Sequence, residues 1–259
     1  MRKVTIIILA CLAACFVLFK ARTIYHRFSF AKEQLDVVTI PDISSDYFIG
    51  IIGDSWVAGN KLDTCLEKCF AKRERIIKII SSGQAGVDSK NIYLNLVKDC
   101  SDSTSSRKVL LAHPKYVVVI GGVNDAIKQM GKKFYTHHMN LIIQGLLANK
   151  IMPVIVSLPT INISEKYERI GWKDNLYFTL TALFTNNGKT NNVKDYRAYL
   201  YENCFRSDSL LLIRFEDFLP DYELGRIYYG MPTHLNKMGI HLMCEKISER
   251  ILEFDASCK

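Results

Sequence analysis

Internal repeats and low-complexity tracts are absent from this 259-residue chain. Their absence excludes solenoids, propellers and fibrous arrays, and it leaves no segment whose composition would keep it disordered. Long apolar runs are lacking too, apart from one at the N-terminus, residues 4–19. No element carries a concentrated basic stripe. The formal charge of +8 therefore reads as a lysine-rich solvated surface, not as a nucleic-acid interface or a patch for anionic glycans or lipids. Cys65 and Cys69 lie four apart on a candidate helix, but no second cysteine pair at zinc-ligand spacing accompanies them, so no metal is expected. A dinucleotide fingerprint is missing. Residues 53–61 fail the P-loop pattern because Asn60 stands before Lys61. No cofactor is expected.

The apolar run at residues 4–19 follows Arg2-Lys3 and precedes Lys20. This is the layout of a secretory n-region and h-region. Flanking Lys and Arg can snorkel to offset its shortness. Residues 1–22 are read as a signal anchor, with the following domain extracytoplasmic and the membrane its partner. A lipoprotein signal is the alternative, since Leu12-Ala13-Ala14-Cys15 resembles a lipobox, although Phe16 to Phe19 continue the apolar run past the cysteine. Residues 23–44 read as a linker, and 45–259 as one domain with a full core. Cys65, Cys69, Cys100, Cys204, Cys244 and Cys258 permit disulfides there, but a domain of this size does not require them.

Within that domain, short β-branched runs alternate with longer amphipathic stretches. Strands are expected near residues 47–53, 75–81, 115–121, 151–158 and 210–215. Helices are expected over 64–72, 89–100, 134–149, 193–204 and 237–254, the last with Asn236 as its N-cap. The alternation implies a three-layer α/β/α sandwich around a parallel sheet of about five strands. Residues 160–190 show no clean period and read as a lid or substrate loop. His137 and His138 read as solvent-facing on a polar helix.

The candidate chemistry sits at strand ends. Gly53-Asp54-Ser55 follows the first strand, Gly86 lies beyond the second, and Gly122-Val123-Asn124-Asp125 follows the third. Met231-Pro232-Thr233-His234-Leu235-Asn236 precedes the last helix. A parallel sheet directs all its C-terminal strand ends to one rim, the edge where open α/β sheets bind ligands. There Ser55 is the candidate nucleophile and His234 the base that takes its proton. The Ser55 and Gly86 N–H groups and the Asn124 amide are the candidate oxyanion donors. Each residue has a plainer reading alone: Ser55 or Asn124 as a helix cap, Gly86 as a turn glycine. Trp56 reads equally as core or as the wall of an acyl pocket.

Taken together and in this order, the four blocks resemble the SGNH, or GDSL-type, hydrolase family. The resemblance covers residues 47–254. It implies a flavodoxin-like α/β/α fold and a serine esterase or deacylase that cleaves an acyl ester on a glycan or other envelope substrate. An O-acyltransferase using the same residues is one alternative; a non-catalytic glycan-binding module is another. The family carries Asp three residues before the catalytic His, and here that position is Met231. Asp217, Asp221 and Glu223 are the nearest upstream candidates for a displaced acid. A Ser–His dyad oriented by a backbone carbonyl is the other solution.

Overall fold

The computed structural model describes residues 2–30, 33–36, 38, 48–59, 62–204, 209–219 and 221–257. The chain divides into a unit of residues 1–34 and a unit of residues 35–259. The first holds helix α1, Arg2–Phe28, with Val4, Ile6, Leu9, Leu12 and Phe16 among its exposed apolar side chains. Among the described residues, no helix is long and apolar enough to cross a membrane. The stretch expected to link the units is not all linker. Leu35 and Val38 pack into a core of the second unit, and the Asp36 N–H donates to the Tyr93 hydroxyl at 2.8 Å. The rest of that expected linker from 39 to 44, the start of the expected first strand at Tyr47, and Cys258 lie outside the described residues.

In the second unit the order begins with β1 (Ile49–Gly53), α2 (Ser55–Ala58), α3 (Leu62–Ala71), β2 (Ile79–Gly83), α4 (Ser89–Val97) and α5 (Arg107–Leu111). It continues through β3 (Tyr116–Ile120), α6 (Val123–Ile127), α7 (Lys132–Ala148), β4 (Met152–Val156), α8 (Ile163–Glu168) and α9 (Trp172–Thr185). Then come α10 (Val193–Cys204), β5 (Leu211–Ile213), β6 (Tyr229–Met231), β7 (His234–Leu235) and α11 (Lys237–Ser257). Strands β1 to β5 form one parallel sheet in the order β2-β1-β3-β4-β5. This is the expected doubly wound architecture.

The period of two in a strand explains the layering. Ile49, Ile51, Tyr116, Val118, Ile120, Val154 and Val156 face one core, shared with Leu66, Phe70, Met243 and Ile247 of α3 and α11. Ile52, Val117, Val119 and Ile155 face the other, shared with Ile92, Met139, Ile142 and Tyr196 of α4, α7 and α10. Both faces of the sheet are thus covered, which is why its central strands read as continuous apolar runs.

Three local expectations are corrected. Strand β2 begins at Ile79, not at Arg75, because Glu74 adopts a left-handed φ of 59° and closes a turn there. The stretch 160–190 is not an irregular loop, since it contains α8 and α9. His138 is fully buried rather than solvent-facing: its Nδ1 is 2.8 Å from the Phe134 carbonyl, and its ring packs on that of Phe134.

Candidate active site

The site grows from the C-terminal end of β1. Gly53 is required there by crowding, since a Cβ would lie 2.0 Å from the Ile120 carbonyl oxygen of the neighbouring strand. Asp54 then caps α2, its Oδ1 accepting the Trp56 N–H at 3.0 Å, and Ser55 becomes the first residue of that short helix. Two backbone bonds knit the adjoining strand ends to this turn. Asp54 N–H donates to Ile120 O at 3.2 Å, and Gln84 N–H donates to Gly53 O at 3.1 Å.

The other half of the site arrives from the far end of the chain. Strands β6 and β7 form an antiparallel ribbon that turns through Pro232 and Thr233 and presents His234. His234 Nε2 lies 2.9 Å from Ser55 Oγ, as a general base must. Trp56 resolves its two readings in favour of a structural clamp. It is buried, and its indole N–H donates to the Thr233 carbonyl at 3.1 Å, tying the residue after the serine to the residue before the histidine.

The remaining nitrogen of His234 decides how the base is oriented. Its Nδ1 lies 3.1 Å from the Thr233 hydroxyl. With that oxygen accepting Nδ1–H, the Nε2 lone pair faces Ser55. Burial depresses the imidazole below its usual 6.5, and the nearby Lys166 ammonium adds to the effect. A carboxylate partner would do the opposite. None of the three upstream acids supplies one. Asp217 pairs with Arg214 at 3.4 Å, Asp221 accepts from the Thr160 hydroxyl at 3.0 Å, and Glu223 accepts from the Asn162 amide at 3.4 Å. Met231 sits across the ribbon from His234 and is exposed. The sequence pointed to a carboxylate or a backbone carbonyl; the hydroxyl of the adjacent threonine went unnoticed because it offers no distinctive signal.

The candidate oxyanion donors come from the ends of β2 and β3. Gly86 has φ of 77°, a conformation that favours glycine, and open space where a Cβ would be. Lys128 Nζ donates to its carbonyl at 2.7 Å and ties the loop to the end of α6. Asn124, on the first turn of α6, donates through Nδ2 to Val87 O at 2.8 Å, joining it to the Gly86 loop. That bond uses one of two amide hydrogens and leaves the other available. Asp125 is buried behind it. Its carboxylate accepts from the Ser89 N–H at 2.8 Å and from the Ser89 hydroxyl at 2.5 Å, which locks α6 to the start of α4.

Asp54 is fully buried with Oδ2 unpartnered, and burial raises it to about 7 against the pull of backbone N–H groups. A folded-state value above the ordinary 3.8 means stability is complete at low pH and is lost as pH rises through about 7. Asp54→Asn imitates the protonated acid and keeps the cap oxygen. The variant is expected to gain about 4 kcal/mol over the parent at pH 8 and little at pH 4. Denaturant titrations at the two pH values read this directly; equal effects at both would refute it.

No family model and no curated protein sequence matches the chain. Solved structures do. A GDSL-like lipase from Bacteroides thetaiotaomicron superposes with TM-score 0.53 at 16% identity, covering 88% of this chain and 97% of its own. A protein named for the G-D-S-L lipolytic family, from Desulfitobacterium hafniense, gives 0.55 at 18%, covering 78% and 97%. A psychrotrophic esterase from a Pseudoalteromonas species gives 0.51 at 14%, covering 80% and 97%. The chain has the fold of the GDSL-type ester hydrolases. In this GDSL fold the Gly53-Asp54-Ser55 turn ends the central part of the sheet. Two elements beyond the core strands, α8 and the β6–β7 ribbon, frame the side from which His234 approaches. Asn162 at the start of α8 donates its N–H to Pro232 O at 2.9 Å, so α8 braces the histidine loop directly.

Proposed function

We propose that the chain is a serine ester hydrolase acting through a Ser55–His234 dyad. The observation that carries this reading is the 2.9 Å contact between Ser55 Oγ and His234 Nε2 at the rim where the GDSL-type fold gathers its strand ends. His234 is depressed below 6.5, so it is neutral near pH 7 and free to take the serine proton. Attack on an acyl carbonyl would give an acyl-enzyme, with the Ser55 and Gly86 N–H groups and the Asn124 amide stabilising the developing oxyanion. His234 would then return its proton to the departing alkoxide and activate water for deacylation.

The narrower form of the proposal is an O-acetyl ester on a glycan or other envelope molecule. It draws on the apolar N-terminal run and on what the resemblance to the SGNH family implies. The same run supports a membrane-attached domain facing out of the cytoplasm, which protease accessibility in intact cells tests.

One experiment tests the chemistry. The full chain in detergent is treated with an ethyl phosphonate ester, of the kind that inhibits the Pseudoalteromonas esterase, and assayed with p-nitrophenyl acetate. The reading requires a phosphonate adduct on Ser55 and turnover that Ser55→Ala removes. Equal turnover in the two proteins sinks it.

Met231 faces His234 across the ribbon, so Met231→Asp would place a carboxylate beside the base. It is expected to raise kcat/KM by roughly 10-fold, well short of the ~10⁴ that separates a triad from one with its acid neutralised, and to lift the imidazole pKa. Unchanged kcat/KM and an unchanged pH profile would mean position 231 cannot reach His234.

A further inference from the structure

A second cluster of reactive side chains lies on the sheet face formed by α3 and α11. Cys65 and Cys69 stand one turn apart on α3, and His241 reaches toward both from α11. Cys65 Sγ is 3.8 Å and Cys69 Sγ 3.9 Å from His241 Nδ1, and the three donor atoms all lie within 4.8 Å of one another. Cys244, one turn further along α11, is buried, with its thiol 4.0 Å from the Leu62 carbonyl. Cys69 and Cys244 are buried, whereas Cys65 and His241 are half-buried or more open, which gives an ion a route in from solvent.

We propose that Cys65, Cys69 and His241, with water completing the coordination, form a zinc site that clamps α3 to α11. A tetrahedral zinc centre with Zn–S near 2.3 Å and Zn–N near 2.0 Å has sulfur–nitrogen edges of about 3.6 Å. The two sulfur–nitrogen distances here are within a few tenths of an ångström of that. The other ring nitrogen supplies an independent sign. His241 Nε2 lies 3.3 Å from Glu245 Oε1. A carboxylate accepting Nε2–H fixes the tautomer that turns the Nδ1 lone pair to the thiols, the outer-shell arrangement that metal-bound histidines use. Each thiol that binds Zn²⁺ exchanges its S–H bond for an S–Zn bond and releases its proton to water.

The donors come from two helices, Cys-x₃-Cys on α3 and His241 on α11, separated by most of the chain. The search for a second cysteine pair therefore misses the set, and the expectation of no metal is revised on this geometry. The placement also has a use. Cys65 lies ten residues beyond Ser55, and His241 seven beyond His234. A metal here would fasten together the two elements that follow the nucleophile and the base. The site stands or falls independently of the esterase reading.

The test uses the full-length chain purified under reducing conditions. Metal analysis is expected to find one zinc per chain, and Cys69→Ser and His241→Ala each to lose it. Replacement by Co²⁺ should give thiolate-to-cobalt charge transfer in the near ultraviolet together with tetrahedral visible bands. Thiol titration of the unmutated chain should show Cys65 and Cys69 protected until chelator is added, with melting lowered by several degrees afterwards. These last readouts do not depend on a variant folding. Sub-stoichiometric zinc after reconstitution, a cobalt spectrum without thiolate bands, or a disulfide between two of these cysteines in the purified chain would overturn the proposal.

Discussion

His234→Ala is expected to lower turnover of a p-nitrophenyl ester by about 10³-fold, the middle of the range for removing a general base. The loss should fall on kcat, because His234 touches the serine and not the bound acyl group. A second readout separates a catalytic role from a structural one. Burial and Lys166 hold the imidazole below 6.5, and it works as a base only when neutral. Activity of the parent should therefore be full above that value and be lost as pH falls through it, with the midpoint of the acid limb of kcat/KM below 6.5. An acid limb centred above 6.5 would mean that a carboxylate, not the Thr233 hydroxyl, governs the base. A loss of only a few-fold in His234→Ala would remove it from the mechanism.

The second large effect is expected at Asn124. Removing one oxyanion donor from a hydrolase of this kind costs about 10²- to 10³-fold in kcat. Asn124→Ala should fall in that range with KM little changed. The substitution also frees the Val87 carbonyl, which now accepts from the Asn124 amide, so part of any loss could come from a shifted Gly86 loop. Asn124→Asp distinguishes the causes: it retains the side chain's size but replaces both amide hydrogens with acceptors beside Asp125. If donation to the oxyanion is what matters, Asp is at least as damaging as Ala. If both variants stay within a few-fold of the parent, Asn124 only ties α6 to the Gly86 loop.

The fold was legible where burial is two-sided. Tyr116–Ile120 and Met152–Val156 are apolar at nearly every position because both faces of those strands are covered. Boundaries failed where the signal was local geometry, as at Glu74, whose left-handed turn delays β2. Helix α9 escaped notice for the opposite reason. Among its residues only Thr181 and Ala182 are buried, while Trp172, Leu176, Leu180 and Phe184 are exposed, so its pattern is not the core-facing stripe that marks a surface helix. His138 was misread because its polar type hides its place on the long buried face of α7, beside Phe134, Tyr135, Met139 and Leu141. Ser55 and Asn124 could be placed at the sheet rim because each opens a helix after a strand, and His234 because its segment precedes the last helix. Their connections could not. The Trp56–Thr233 bond and the orientation of Nδ1 depend on how a distant ribbon docks, which no local pattern encodes.

That docking has a consequence for how the protein comes into being. Ser55 and His234 are 179 residues apart in the chain, and every parallel strand pair between them requires a long crossover before it can form. The contacts at the rim are therefore among the most non-local in the molecule, the kind whose loop-closure cost is met late in folding. A growing chain makes Ser55 179 residues before His234, so the contact between them can form only once the β6–β7 ribbon has been made. Truncation at Gly230 should leave Ser55 without that partner.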